Sequence, residues 1–336
     1  MKIWIDIKNS HEPLFFKSLE GGLLDYDINY TCREFAEVIP LLKKYNFNFS
    51  IIGNRPEGNM IKRVLGFYGR VFQLYTQVPD FDFSLNHMSI WAVYVSRLRR
   101  RKNITIGDND IDHLLNRRMF NYVDYFLSPK AINPKVLIND NLNSEKIISF
   151  NGFKEDIYMA DYIPDKHFLQ ELPFDDFVTI RPESLQATYL PKGTKSIVPS
   201  LLDILSNKGI NVLYLPRYSS DTQYADGYNN IFIPPKVLNG LDVCYYSRAV
   251  ITGAGTFARE AACMGTPAVS FFPGPKLLAV DSKMIADGWI LHSRDPYEIY
   301  NYILGSQKKE PNLDRSKKVK KEVLDIIKNI IDQPKI

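Results

Sequence analysis

Short apolar strands alternate with helix-length segments along almost the whole chain, and this restricts the fold more than any other feature of the sequence. Lys2–Ile7 alternates as a strand and enters a loop at 8–13. Residues 14–24 have helical spacing, 29–32 form a second strand, 33–45 a second helix ended by Asn46, and 49–52 a third strand. Segments 81–85 and 103–106 also read as strands. A second run begins near Phe177: strand 177–180, helix 195–207 stopped near Gly209, strand 211–215, strand Ala249–Thr252, helix 257–264 and strand 267–272. Strands joined through helices run parallel, and such sheets are covered on both faces.

A chain of 336 residues exceeds one ordinary core, so two domains are expected. Between the two runs, residues 161–176 are rich in Pro and Asp and lack a long period. The expected domains are therefore 1–162 and 163–336. In Leu313–Ile331, Val319, Val323, Ile327 and Ile330 share one face opposite lysines, which predicts an amphipathic helix closing the second domain.

Composition narrows the class. Hydrophobic residues at 45% with 24% charged describe a globular chain. A net charge of +4 is too small to argue for nucleic acid, and no basic-plus-aromatic module appears. Cys32, Cys244 and Cys263 are far apart and read as small buried hydrophobes of a reducing compartment. The N-terminus reads as a strand, not a signal peptide, and no apolar run approaches the roughly 18 residues of a membrane span. The expected location is cytoplasmic, at most peripheral on a membrane.

The turn Thr252-Gly253-Ala254-Gly255-Thr256 follows a strand and opens a helix. Ligands of open α/β sheets bind beyond the strand C-termini, and a helix N-terminus offers unpaired N–H groups to phosphate. Thr256 reads as the N-cap, and Gly265 with Pro267 as the stop. Glu260, expected in the first turn, could accept hydrogen bonds from ribose hydroxyls. Spacing alone fits equally a tight structural turn in which Glu260 complements the helix dipole.

The segment from Gly253 to Pro267 resembles the nucleotide site of glycosyltransferases with the B-type fold, a group that includes UDP-GlcNAc 2-epimerases and the peptidoglycan GlcNAc transferase. The shared pattern, Glu-Ala-x-x-x-Gly-x-Pro, is matched from Glu260 to Pro267. A closer resemblance is to an archaeal domain-of-unknown-function family of predicted glycosyltransferases. It rests on the ordered blocks Ile5-Asp6-Ile7-Lys8-Asn9-Ser10, Asp108-Asn109-Asp110, Asn151-Gly152-Phe153-Lys154-Glu155, Ile180-Arg181-Pro182-Glu183-Ser184, Leu215-Pro216-Arg217-Tyr218 and Phe271-Phe272-Pro273-Gly274. The resemblance implies two Rossmann-like domains facing a cleft. By position, Gly253, Gly255 and Thr256 would hold the diphosphate and Glu260 the ribose.

Other strand ends supply further candidates. Arg181 and Glu183 follow the first strand of the second domain, where an Arg can grip phosphate bidentately; Arg217 follows the next strand. In two-domain transferases the loop holding Asn9, Ser10, His11 and Glu12 meets the acceptor and can supply a general base, His11 near neutral pH or Glu12 if desolvated. The related family more often reads Asn-Ser-Pro-His, so the imidazole here is displaced by one position. Asp108 is a catalytic candidate, with Asn109, Asp110 and His87 on the acceptor side. The two aspartates by themselves suggest a divalent cation. B-type transferases hold the diphosphate with protein dipoles, so no metal and no cofactor beyond the nucleotide sugar is expected. Residues 89–102 interleave apolar side chains with five cations, which fits either a sheet-covering helix or a segment lying on an anionic membrane near a lipid-linked acceptor.

The expected function is transfer of a sugar from a nucleotide sugar, a UDP-sugar by resemblance, to an acceptor, with inversion and without metal. A UDP-N-acetylhexosamine 2-epimerase-like isomerase is the alternative, weakened by the lack of a Gly-Thr-Arg-Pro-Glu loop after the first strand. A binding protein without catalysis is the third.

Overall fold

The computed structural model describes residues 1–35, 37–54, 60–111, 114–186, 190 and 193–332. They fall into two compact units, Met1–Asp161 with Asp314–Ile336, and Tyr162–Leu313. The first unit carries β1 (Lys2–Ile7), α1 (Glu12–Glu20), β2 (Asp27–Glu34), α2 (Val38–Lys44), β3 (Phe49–Asn54), α3 (Met60–Gln77), β4 (Phe83–His87) and α4 (Ile90–Leu98). It continues through β5 (Lys102–Ile106), α5 (Leu114–Phe120), β6 (Tyr125–Pro129), α6 (Pro134–Asn139), β7 (Ile147–Phe150) and α7 (Lys154–Met159). Its strands are all parallel in the order β3-β2-β1-β4-β5-β6-β7.

The second unit holds β8 (Val178–Arg181), α8 (Val198–Asn207), β9 (Val212–Tyr214), β10 (Ile231–Phe232), α9 (Gly240–Tyr246), β11 (Ala249–Thr252) and α10 (Gly255–Cys263). β12 (Ala268–Ser270), α11 (Ala279–Ala286), β13 (Ile290–His292) and α12 (Pro296–Gly305) complete it before α13 (Leu313–Ile331). The parallel order is β10-β9-β8-β11-β12-β13. Central strands β1 and β11 are buried over nearly their whole length, as the apolar runs require. In each sheet the order reverses beside the first strand, between β1 and β4 and between β8 and β11. These are the switch points where an α/β sheet opens a crevice at its C-terminal edge.

Three elements depart from their sequence patterns. α1 begins at Glu12, two residues early, because Pro13 suits a first helical turn whose N–H groups have no partner in any case. β2 runs through Glu34, which pairs with Asn54 of β3, so the helix expected over 33–45 is confined to Val38–Lys44.

The third departure corrects the domain assignment of α13. Its stripe of Val319, Val323 and Ile327 is buried within the first unit, not the second. Gly152, at φ 144, leaves room for Val319, and Gly22 leaves room for Leu324. Arg315 and Ser316 donate to the buried Asp156, and Glu322 accepts from Asn151.

The floor of the first unit contains a buried ion pair. Asp6, in the middle of β1, accepts from both terminal nitrogens of Arg70 (2.7 and 3.0 Å), from Ser89 Oγ and from Thr31 Oγ1. Arg70 Nε donates to the Ile52 carbonyl. With four donors on the carboxylate and all three guanidinium nitrogens donating, the pair is tolerated, whereas removing one partner costs about 3–5 kcal/mol. It ties α3 and the N-cap of α4 to the central strand.

Within residues 89–102, Ile90–Leu98 forms a sheet-covering helix, one of the two readings the segment allows. Ile90, Ala92, Val93 and Val95 are buried. Arg99 donates to the carbonyls of Tyr75, Val78 and Pro79, Arg101 to Asp80, and Lys102 to Asp124. No helix among the described residues is long and apolar enough to cross a membrane.

Candidate functional site

Four elements of the first unit bring titratable side chains to its switch point. His11 and Glu12 follow β1, His87 is the last residue of β4, Asp108 follows β5, and Lys154 opens α7. His11 Nε2 lies 3.5 Å from His87 Nδ1, and the two rings meet edge to face. His87 Nε2 stands 3.4 Å from Asp108 Oδ1, and Lys154 Nζ donates to Asp108 Oδ2 at 2.7 Å. Glu155 lies 4.0 Å from the same ammonium. His87, Asp108, Lys154 and Glu155 are all buried, and His87 Nε2 makes no hydrogen bond among the described residues.

Glu12 is fully buried at the start of α1. It accepts from the backbone N–H of Lys8 (2.6 Å) and Asn9 (3.3 Å) and from the Asn9 amide (3.0 Å), with the Lys8 ammonium at 3.7 Å. Burial acts to raise its carboxyl, but Lys8, the hydrogen bond with His87 and the histidine charges outweigh this and hold it at about 2. Held by these three N–H donors, Glu12 shapes the turn as a fixed anion.

His11 behaves oppositely. Burial, then the charges of Lys154 and His87, lower its pKa well below the ordinary imidazole value. The ring is therefore neutral near pH 7, and its lone pair is less basic than that of an ordinary imidazole. The displacement by one residue in sequence still delivers the imidazole to His87.

The remaining acceptor-side candidates have local partners. Asn9 is engaged with Glu12, Ser10 Oγ donates to Glu37, and Asn109 Oδ1 accepts from the Ile111 N–H to hold its own turn. Asp110 is buried next to Asp108 in the chain. One donor atom each from His11, Glu12 and His87 lie within 4.8 Å of one another, a set of a kind that ligates divalent cations. The Glu12 oxygens are already taken by three N–H donors and faced by Lys8, so the chemistry of the set favours proton handling over a cation.

The second unit meets its switch point with backbone instead. Gly253 N–H donates to the Arg181 carbonyl, and a Cβ there would fall 2.5 Å from Glu183 Cα, so only glycine fits between β8 and β11. The helix that follows has Ala254 at its N-cap, with no capping side chain, while Thr252 Oγ1 accepts from the Ala254 N–H. Gly255, Thr256 and Phe257 thus present the N–H groups that a helix leaves without intrahelical partners.

Thr256 is the second residue of α10 and not its N-cap, a correction that follows from Ala254 taking the extended cap conformation. Its hydroxyl accepts from Arg259, which is buried and paired to Asp281 at 2.6 Å. Glu260 is likewise displaced from the expected first turn into the second. From there its charge, after burial itself, helps push the Cys244 thiol of α9 upward.

A cavity of 410 Å³ opens at the ends of β8, β9 and β10, lined by Arg181, Leu215, Pro216, Ile233, Pro234 and Phe257 among others. Its mostly apolar wall with one guanidinium matches the common make-up of small-molecule pockets. Arg217 sits beside it in the chain; its N–H and that of Tyr218 donate to Asp221. Glu183, expected to face the ligand, is instead buried against Ser196 Oγ (3.1 Å) and Arg294 (3.6 Å), which makes it an anchor of the strand end.

Lys154, Arg259 and the cavity residues 233–238 are absent from the sequence-based candidates. Lys154 and Arg259 do lie within blocks that carry the family resemblance, the one available signal. Residues 233–238 carry none, because a wall of Pro and Val gains meaning only when the ends of neighbouring strands surround it.

Comparison with known proteins agrees with this architecture. A family described as protein of unknown function (DUF354) matches residues 1–333. An uncharacterized protein of Methanocaldococcus jannaschii is 27% identical over 318 residues, covering 90% of this chain and 91% of that one. Among solved structures, a UDP-GlcNAc 2-epimerase from the same organism aligns over 98% of this chain and 100% of its own, with a TM-score of 0.71 and 12% identity. A putative UDP-N-acetylglucosamine 2-epimerase from Listeria monocytogenes aligns over 100% and 97%, at 0.75 and 12%. A glycotransferase of kitacinnamycin aligns over 98% of each chain, at 0.61 and 10%. The fold is the two-domain Rossmann-type architecture of B-type glycosyltransferases and these epimerases.

Proposed function

The chain belongs to the DUF354 family, and we propose that it is a nucleotide-sugar glycosyltransferase whose donor is a UDP-sugar. The observation that carries this reading is the uncapped N-terminus of α10 beside the 410 Å³ cavity at the second unit's switch point. In this reading the nucleobase and ribose occupy the cavity, Glu260 binds the ribose hydroxyls, and the diphosphate rests on the N–H groups of Gly255 and Thr256. UDP is favoured among nucleotides because the structures similar in fold include UDP-GlcNAc 2-epimerases.

His11 is then the general base. Its neutral imidazole takes the proton of an acceptor hydroxyl as that oxygen bonds to the anomeric carbon, while the bond from that carbon to the diphosphate oxygen breaks. The electron pair leaves on the nucleoside diphosphate, whose added charge is met by the α10 N-terminus and Arg181. Attack opposite the leaving group inverts the anomeric centre. His87, backed by Asp108 and Lys154, orients the base and steadies its protonated form. No step in this scheme calls on a metal.

A second reading, a 2-epimerase, is favoured by one observation: Asp108 is held against the Lys154 ammonium, a carboxyl group in the same crevice as two imidazoles. Chromatography of UDP-GlcNAc incubated with the protein alone separates the two. Transferase chemistry leaves the sugar unepimerised until an acceptor is supplied; UDP-ManNAc formed without acceptor replaces it with the epimerase. If UDP produces no thermal shift, and Glu260→Ala changes nothing, the nucleotide site itself is refuted.

A further inference from the structure

Helix α3 carries two apolar faces, and the fold uses one of them. Val71 and Leu74 pack beneath it with Val78, Trp4 and Phe81. On the far side Ile61, Leu65, Tyr68, Phe72 and Tyr75 recur every three or four residues, each between 43% and 69% exposed, with Val64 at their edge. From Ile61 to Tyr75 this stripe runs about 21 Å along the helix. Tyr68, Val71, Phe72, Tyr75 and Leu98 border a shallow groove of 240 Å³ along it. An exposed apolar stripe of this length, rimmed by charge, marks an interaction surface.

Among the described residues the charge on the rim has one sign. Lys62 and Arg63 are exposed on α3 itself, and Arg97 and Arg100 are exposed on either side of Leu98. The sequence has no Asp or Glu from 60 to 79 or from 83 to 102. The acids between these stretches are occupied, Asp80 with Arg101 and Asp82 with the Lys2 N–H. A second copy of the same face would set cations against cations. An anionic bilayer surface complements both features, taking the aromatic and aliphatic side chains among its acyl chains and the cations among its headgroups.

We infer that the outer face of α3 is a docking surface for anionic membranes. The surface is formed by the first unit alone and is independent of the reaction proposed above. Vesicle flotation of the full chain tests it, comparing phosphatidylcholine with phosphatidylcholine mixed with phosphatidylglycerol. The protein floats with the mixed vesicles and not with the neutral ones, and added salt weakens the association. Neutralising Arg63, Arg97 and Arg100 as the triple Gln variant lowers the partition coefficient about fivefold per cation. Leu65→Ser with Phe72→Ser lowers it by roughly tenfold or more even at low salt. These side chains are exposed, so the thermal midpoint of both variants stays near that of the parent. The inference is overturned if the parent chain stays unbound on mixed vesicles, or if both variants float equally well. It also fails if sedimentation shows a dimer that Phe72→Ser turns into a monomer, since the face would then belong to a second copy.

Discussion

The two units share a construction and differ in what they place at its switch point. In the first, the strand ends deliver side chains: two imidazoles, a carboxylate and a buried ammonium in a file from His11 to Lys154. In the second they deliver backbone: a glycine that fits nowhere else, an uncapped helix start and an apolar cavity. Moving a proton needs groups whose pKa burial and neighbours can set. Holding a diphosphate needs fixed dipoles, which main-chain N–H groups supply without titrating. Parallel sheets of one topology thus present two different chemistries, which the proposed transfer would use for separate tasks.

The largest expected effect comes from removing the proposed base. With a UDP-sugar donor and a working acceptor, His11→Ala lowers kcat by about 10²- to 10⁴-fold, while the UDP thermal shift stays unchanged. Loss of UDP binding in this variant would break the division of labour between the units. Glu12→Gln sharpens it. A fixed anion that shapes the turn weakens folding when replaced, whereas a base would abolish turnover with the fold intact.

How far the sequence carried the site depended on what set each feature. The strand–helix alternation gave both sheets because hydrophobic period is local. The amphipathic stripe of α13 was equally legible, but a stripe does not say which core it covers; the space left by Gly22 and Gly152 decides that. Thr256 and Glu260 shifted by part of a turn because α10 starts where the Ala254 backbone turns, with no capping side chain to announce it. The low proton affinity of Glu12 was not legible, because it is set by Lys8 and the N–H groups of its own turn, which spacing does not show. Arg259 and Lys154 lay unremarked inside recognised blocks. Their partners Asp281 and Asp108 are 22 and 46 residues away, so only the fold pairs them.

Acid lability is expected to come from the first unit. Below pH 6.5 the unfolded chain protonates His11 more readily than the folded one does, so falling pH lowers stability from that point. Glu12 adds its share between its unfolded value of 4.5 and about 2: the stabilisation is complete above the upper limit and lost at the lower. That carboxylate alone accounts for about 3 kcal/mol. Urea midpoints measured from pH 7 down to pH 3 test this, with Glu12→Gln flattening the slope below pH 4.5. An unchanged slope in that variant would mean that the buried carboxylate is not the group being titrated.

The smallest effects separate two glycines of the second unit. At Gly253 an added methyl meets the backbone of Glu183, which cannot give way, so Gly253→Ala costs about 1–3 kcal/mol of stability. At Gly255 the methyl meets only the ends of the Arg259 and Asp281 side chains at 3.2 Å, and Ala is the better helix former. Gly255→Ala therefore folds within about 0.5 kcal/mol of the parent. It still narrows the approach to the α10 N-terminus and weakens UDP in calorimetric titration. Weaker UDP with stability unchanged is the signature of a backbone phosphate site. Equal UDP affinity in the two proteins would show that the diphosphate does not rest on that helix start, and Gly255 would then be a turn residue like Gly253.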